Sequence, residues 1–481
     1  MPTPPSPGFP RLARADRARR VRFRRAVTLM LMTLVLPGSA QLVAGNRRVG
    51  RLAMRVWLVT IACVLSAGLV AYAWHGAALW AAFNPTVLVV ARWVLILGAL
   101  GWALLFVDAW RLGQPLTLQR NQRLAMVGVN GVLCLSVAGT LIFGAHVVGV
   151  QRDLTVTLFS DGEASSSADG RYNVLLMGGD SGAGRWGLRP DSLTVASIDA
   201  RTGRTVLVGL PRNMTNFPFA DGSVMDEQFP RGFDCDGCYL NGVSTWAGDH
   251  TELFGKSDNP GIDATITAVE GITGLEISYW AMVNLQGFKD LVDAVGGVTL
   301  NVRQAIPVGL PQDDYFRHIQ PGVRKLDGME TLWFARARYD SDDYSRMARQ
   351  KCVMSAMLTQ VSPQAAIRNF RGIAEAGSSM IATDLPQGEV DRFAALALEA
   401  RTQPVSTVSL VPPRVNTADP DIREVRAMVE SAIEKSEGEV EAAPTKQKKR
   451  RQPPASTTGG SIGSLAEGYA ANESEDLGAS C

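Results

Sequence analysis

What most constrains this 481-residue chain is where its apolar runs fall relative to its arginines. Leu52–Trp74, Val87–Val107 and Leu124–Val150 are each long enough to cross about 30 Å of hydrocarbon as a helix. A fourth run, Ala26–Ala44, is shorter and is interrupted by Pro37-Gly38-Ser39. Further apolar segments follow it directly, so it lacks the profile of a cleaved signal peptide. Residues 11–25 contain eight Arg, the 45–55 loop carries Arg47, Arg48, Arg51 and Arg55, and the 109–123 loop carries Arg111, Arg120 and Arg123. The 75–86 loop has none. The positive-inside rule puts the first three regions in the cytoplasm and the last outside. Ala26–Ala44 is then re-entrant or interfacial, three runs cross, and everything after about residue 151 is extracytoplasmic. Four crossings would instead bring the large domain inside and leave an arginine-rich loop outside.

The 46% apolar composition is thus an average over a membrane anchor (26–150, after a basic cytoplasmic stretch 1–25) and an ordinary soluble domain. The net charge of +2 says little about partners. Lys supplies only eight of the 48 basic residues, and guanidinium is the planar fork that suits phosphate, although genomic base composition produces the same bias. Cys63 and Cys134 lie in apolar runs, Cys235 and Cys238 form a CxxC, Cys352 stands alone and Cys481 ends the chain. One CxxC without a second pair or a His cluster does not make a zinc site. Outside the membrane it favours a local disulfide, and inside it free thiols.

Residues 151–170 read as a linker ending in Ser, Gly and Asp. The run Tyr172–Met177 before Gly178-Gly179 reads as a buried strand. Ser192–Ile198 and Thr205–Leu210 flank Asp199-Ala-Arg-Thr-Gly203, a hairpin signature. Ile262, Ile266, Val269 and Ile272 have helical spacing. A strand over 278–284, a helix over 286–295, a strand over 298–302 and helices near 327–337 and 343–360 follow. Interleaved strands and helices predict an α/β domain with a central mixed sheet flanked by helices. From 436 to 481 the basic run Lys446–Arg451 and Ser/Thr/Gly-rich sequence have too little apolar surface to fold.

Chemistry concentrates at the ends of these elements. Asp180 follows the first strand, where α/β folds place ligands. Then come Arg189-Pro-Asp191 and Pro211-Arg212-Asn213, and later Arg336, Arg338, and Asp343, Arg346 and Gln350, which share a helix face. Two carboxylates and several guanidiniums are what a Mg²⁺-bound pyrophosphate needs: hard oxygen ligands for the metal, and forks for the non-bridging oxygens. Surface ion pairing among the same residues is the plainer alternative.

Five ordered blocks, Tyr172–Asp180, Arg189–Asp199, Val206–Asn213, Tyr279–Val302 and Leu326–Leu358, resemble the LytR-CpsA-Psr family. The resemblance spans residues 171–362, and 363–435 looks like that family's C-terminal extension. It implies a phosphotransferase that moves a glycopolymer from a polyprenyl-pyrophosphate carrier to peptidoglycan during cell-wall assembly. It also implies a hydrophobic cleft for the lipid, Mg²⁺ (or Mn²⁺) on Asp180 and Asp191, and catalytic roles for Arg189 and Arg212. Arg336, Arg338, Asp343, Arg346 and Gln350 would bind substrate. The implied partners are the lipid-linked glycopolymer, peptidoglycan and membrane lipid, with no nucleic acid. Where the family usually reads Pro-Arg-Asp this chain has Pro-Arg-Asn, so Asn213 lacks a charge and a possible base. Two other classes compete. Gly179-Asp-Ser181 is similar to the nucleophile block of GDS-type esterases, but no Asp-x-x-His supplies a base. A non-enzymatic envelope regulator or scaffold is the other.

Overall fold

The computed structural model describes residues 9–45, 47–159, 165, 167–179, 189–338, 342–360, 381–403, 405–438 and 472. The chain divides into two units, Met1–Asp153 and Leu154–Cys481.

The first unit is helical: α1 (Phe9–Val35), α2 (Ser39–Ala44), α3 (Arg47–Ala73), α4 (His75–Phe83), α5 (Pro85–Leu112) and α6 (Arg120–Leu158), the last running past the boundary. Three stretches, Arg47–Val70, Pro85–Thr117 and Arg120–Val156, are long and apolar enough to cross a membrane. They contain the second and third runs singled out in the sequence and most of the first, Leu52–Trp74, which extends past Val70. Their outward faces present Leu65, Leu100 and Leu135, each more than half exposed, a surface that water disfavours and hydrocarbon accepts. The interrupted fourth run is a helical hairpin. Gly38 turns the chain at φ +92°, and a Cβ there would lie 2.6 Å from the Gly50 carbonyl oxygen of α3. Gln41 Nε2 donates to the Leu105 carbonyl and Trp102 Nε1 to the Thr33 carbonyl, both at 3.0 Å, tying α2 and α1 to α5.

The second unit is built on a six-stranded sheet. Its strands are β1 (Arg171–Gly179), β2 (Pro190–Asp199), β3 (Thr205–Leu210) and β4 (Tyr279–Asn284), with the later β9 (Ile381–Thr383) and β10 (Ser406–Ser409). The order is β10-β3-β2-β1-β4-β9. β10/β3 and β1/β4 are parallel while β3/β2, β2/β1 and β4/β9 are antiparallel, so the sheet is mixed, as the sequence predicts. Period-two alternation sends side chains to both faces. Leu175, Met177, Val195, Val206 and Val208 enter one core with α9 (Pro260–Thr273) and α14 (Ile422–Gly438). Leu176, Ala196 and Leu207 pack on the other face against Met354 and Leu358 of α12 (Asp343–Gln360). A third cluster joins α12 to α10 (Leu285–Ala294), α11 (Gly328–Arg336) and the short pair β5 (Val298–Val302) and β8 (Gly322–Leu326).

The β2–β3 hairpin forms at Asp199–Gly203 as its sequence requires. Asp199 Oδ1 accepts the backbone N–H groups of Arg201 and Thr202. Gly203 takes φ +71°, and a Cβ there would meet the Leu396 carbonyl of α13 (Val390–Ala400) at 2.7 Å. Cys235 and Cys238 are joined in a disulfide, the local pairing expected of an oxidising exterior. Cys352 of α12 is also disulfide-bonded.

Candidate functional site

Strand register brings the sequence motifs to one edge of the sheet. Gly179, the last residue of β1, pairs with Pro190 at the start of β2, and Leu193 of β2 pairs with Leu210 at the end of β3. β10 runs parallel to β3, with Ser409 beside Gly209. The start of β2 and the ends of β1, β3 and β10 therefore meet there. Asp180 and Ser181 follow β1 directly but lie outside the described residues.

Arg212, two residues beyond β3, donates to Asp191 Oδ1, and its Nε is 3.5 Å from Asp343 Oδ1. Asp343 is the first residue of α12. Its neighbour Asp342 starts that helix by accepting the backbone N–H groups of Tyr344 and Ser345, each at 2.9 Å, the usual work of an N-cap carboxylate. One turn on, Arg346 donates to Asp343 Oδ2 at 3.0 Å, and Arg338 Nη1 is 3.7 Å from Asp343 Oδ1. Arg346 is buried, and that burial lowers its pKa against the opposing pull of Asp343. Asp191, Arg212, Asp343, Arg346 and Arg338 thus form one alternating chain of carboxylates and guanidiniums.

The remaining predicted residues have other placements. Gln350 accepts from Ser192 Oγ and donates to the Ala335 carbonyl, each at 3.2 Å, linking β2 to α11 across α12. Arg336 is not joined to the cluster; its guanidinium lies over the Trp333 ring, 5.1 Å from the centroid. Arg189 is exposed at the entry to β2, with no ion pair among the described residues. Neither His250, bonded to the Trp246 carbonyl, nor His318 of the exposed strand β7 (Arg317–Ile319) bonds to the cluster, so the described histidines offer it no triad base.

Beside the cluster lies a narrow cleft between α12 and the sheet. Asp191 and Ser192 line it from β2, Gly209 and Leu210 from β3, and Ser409 from β10, with Arg346, Met347, Gln350 and Lys351 facing them from α12. Sequence reading missed four contributors. Lys351 donates to Ser409 Oγ at 2.8 Å, and burial brings its pKa down to about 8. Ser409 Oγ in turn donates to Asn472 Oδ1 at 3.3 Å, and Asn472 Nδ2 donates to the Tyr344 carbonyl at 2.6 Å. Arg349, fully buried, donates to the Phe334 and Ala337 carbonyls and so braces the turn that carries Arg338. Lys351 follows the apolar-to-polar stripe of α12 at i+8 from Asp343, and that spacing is the signal that would have found it. Asn472 carries no such signal.

Whether these residues suit a divalent cation turns on their oxygens. Among the described residues no three His, Cys, Asp or Glu side chains cluster. Two carboxylates meet here, and Asp343 Oδ1 is buried without a hydrogen-bond donor. A Mg²⁺ site that shares phosphate oxygens commonly needs only one or two carboxylates, with water and phosphate completing the octahedron. Asp191 and Asp343 therefore fit such an ion.

A mixed α/β domain with a carboxylate–guanidinium cluster at its sheet edge is the class that fold and site define. The LytR_cpsA_psr family model matches residues 149–417, more than half of the chain, and the chain belongs to that family. Biofilm regulatory protein A of Streptococcus mutans is 25% identical over 222 residues, covering 44% of this chain and 50% of that protein. The polyisoprenyl-teichoic acid–peptidoglycan teichoic acid transferase TagU of Bacillus cereus is 27% identical over 233 residues, covering 47% of this chain and 65% of that one. The chain thus spans between half and two-thirds of the length of these relatives. The crystal structure of Bacillus subtilis TagV aligns with a TM-score of 0.41 at 22% identity, covering 58% of this chain and all of that one.

Proposed function

We propose that this protein is a membrane-anchored phosphotransferase that moves a glycopolymer from a polyprenyl-pyrophosphate carrier onto peptidoglycan outside the membrane. One observation carries the reading: Arg212 bridges Asp191 and Asp343 beside a cleft lined by Asp191, Arg346, Gln350 and Lys351. Guanidiniums held by two carboxylates suit the non-bridging oxygens of a pyrophosphate. Family membership and the transferase named among the relatives support the same reaction class.

In this reaction a muramic-acid hydroxyl oxygen attacks the glycan-side phosphorus. The bond from that phosphorus to the bridging oxygen breaks, and polyprenyl phosphate departs with the electron pair. The proton lost by the hydroxyl is, in net balance, gained by the departing phosphate. Arg212, Arg338 and Arg346 hold non-bridging oxygens, where fixed guanidiniums stabilise charge without reorganising. Asp191 and Asp343 orient those arginines, and with Asp180 they would hold Mg²⁺. When bound, that ion supplies charge neutralisation of the pyrophosphate.

The test uses the full chain in detergent, a short polyprenyl-pyrophosphoryl glycan and a peptidoglycan acceptor. Transfer is expected to require a divalent cation and to fall at least a hundredfold in Asp191→Ala. Ser181→Ala is expected to stay active. Full transfer by Asp191→Ala, or loss in Ser181→Ala alone, would overturn the assignment in favour of an esterase-like or non-catalytic role.

A further inference from the structure

The cleft beside the cluster has cations on both flanks, and they differ in one respect. Arg346 and Gln350 face the β2 side, where Gln350 meets Ser192. Lys351 faces the β10 side, where it meets Ser409. The floor between them is β3, through Gly209 and Leu210. This matches the sheet order β10-β3-β2. It also matches helix geometry, because residues five apart on α12 are separated by roughly 140° around the axis. Arg346 already has a carboxylate partner, Asp343 at 3.0 Å, which it shares with Arg212 and Arg338. Lys351 is only 4% exposed, and its hydrogen-bond partner is a hydroxyl rather than a carboxylate.

An ammonium buried without an anion is costly, and proteins ordinarily pair it or replace it. Here it is retained on the wall of a narrow cleft that Asp191, Arg346 and Gln350 also line. We propose that Lys351 is an anion-binding residue of this cleft, its ammonium taking a phosphoryl oxygen of a lipid-linked phosphate or pyrophosphate from the β10 flank, opposite Arg346. This deepens the phosphotransferase reading and rests on it for the lipid, but not for the anion. The network through Ser409 to Asn472 and the Tyr344 carbonyl fixes Lys351 Nζ in place before the anion arrives. Lys351 accordingly contributes to affinity for the phosphate head and not for the tail.

The experiment measures binding of three probes to the full chain in detergent by calorimetry: farnesyl pyrophosphate, farnesol and inorganic pyrophosphate. Lys351→Met keeps the stem and removes the charge. It is expected to weaken farnesyl pyrophosphate binding by about tenfold to a hundredfold while leaving farnesol unchanged. Equal affinity for farnesyl pyrophosphate, or an equal loss for both lipids, overturns the proposal, the second outcome meaning that Lys351 only shapes the wall. If the wild type binds inorganic pyrophosphate through Lys351 but ignores farnesyl pyrophosphate, the anion site stands and the lipid-carrier reading falls. Should Lys351→Met fail to fold, ¹³Cε-lysine spectra of the wild type serve instead. With eight lysines in the chain, the one shielded from a soluble paramagnetic quencher should shift with pyrophosphate and not with farnesol. No shift overturns the proposal.

Discussion

Arg346 donates to Asp343 Oδ2 at 3.0 Å from one turn further along the same helix, and only 3% of Arg346 is exposed. The pair is complete before any ligand arrives, so its first role is to hold the cluster's shape. A guanidinium already held by a carboxylate contributes direction to phosphate binding as well as attraction.

Arg346→Met is therefore expected to destabilise the second unit by about 2–4 kcal/mol, because it leaves Asp343 partly buried beside weaker partners. Asp343 keeps Arg212 and Arg338 within 3.5 and 3.7 Å, which limits the loss. Thermal melts followed by near-ultraviolet circular dichroism would measure it. The double variant with Asp343→Asn should cost less than the sum of the singles, and strict additivity would show that the pair does not couple.

Arg336 and Arg338 stand two residues apart yet should behave differently. Arg338 points its guanidinium at Asp343, whereas Arg336 lies over Trp333. Arg338→Ala is expected to lower pyrophosphate affinity by roughly one to two decades, the equivalent of a charge-assisted bond of about 1.5–3 kcal/mol. Arg336→Ala should cost less than a factor of ten. Arg338→Lys should recover only part of the loss, since an ammonium cannot reproduce the fork. Equal losses for the two alanine variants would place both on the same ligand.

That contrast shows how far the sequence could be read. β3, β5 and α12 were legible to the residue because alternation, Gly203 and a capped charged stripe each specify geometry locally. Arg212, Asp343 and Arg346 were legible as site candidates because they end strands or begin a helix. Arg336 joins them through the family resemblance, and nothing local encodes that the turn after α11 directs Arg336 over Trp333 and Arg338 toward Asp343. Lys351 escaped notice because its importance depends on the missing carboxylate at Ser409, a strand more than fifty residues away. Asn472 needed the tertiary fold altogether.

Lys351 also gives the domain a pH dependence with a definite sign. Its folded pKa is about 8 against an ordinary 10.5. Between those values the unfolded chain carries a proton on Lys351 that the folded chain lacks, so stability from this group rises as pH climbs from about 8 to 10.5 and is absent below. Lys351→Met removes the group, so the difference in melting temperature between wild type and variant should narrow with rising pH if the variant is the more stable at pH 7. A difference that does not vary with pH would mean the ammonium is solvated after all.

The anchor can be tested independently of the chemistry. Three helices are long and apolar enough to cross, and the arginine-bearing loops at 45–55 and 109–123 both belong on the cytoplasmic side under the positive-inside rule. The α1–α2 hairpin is consistent with entry and return on one side, since Gly38 reverses the chain and Gln41 Nε2 and the Thr33 carbonyl both have partners on α5. A buried amide or carbonyl left facing lipid would cost several kcal/mol, so these bonds are what allow a turn at that depth. Single cysteines at Arg48, Gln114 and Ser165, in a background with Cys63 and Cys134 replaced by Ala, should react with a membrane-impermeant maleimide in whole cells only at position 165. Positions 48 and 114 should react only after the membrane is opened. Labelling of position 114 from outside would require an odd number of crossings before it and would move the α/β domain, with its cleft, to the cytoplasmic face.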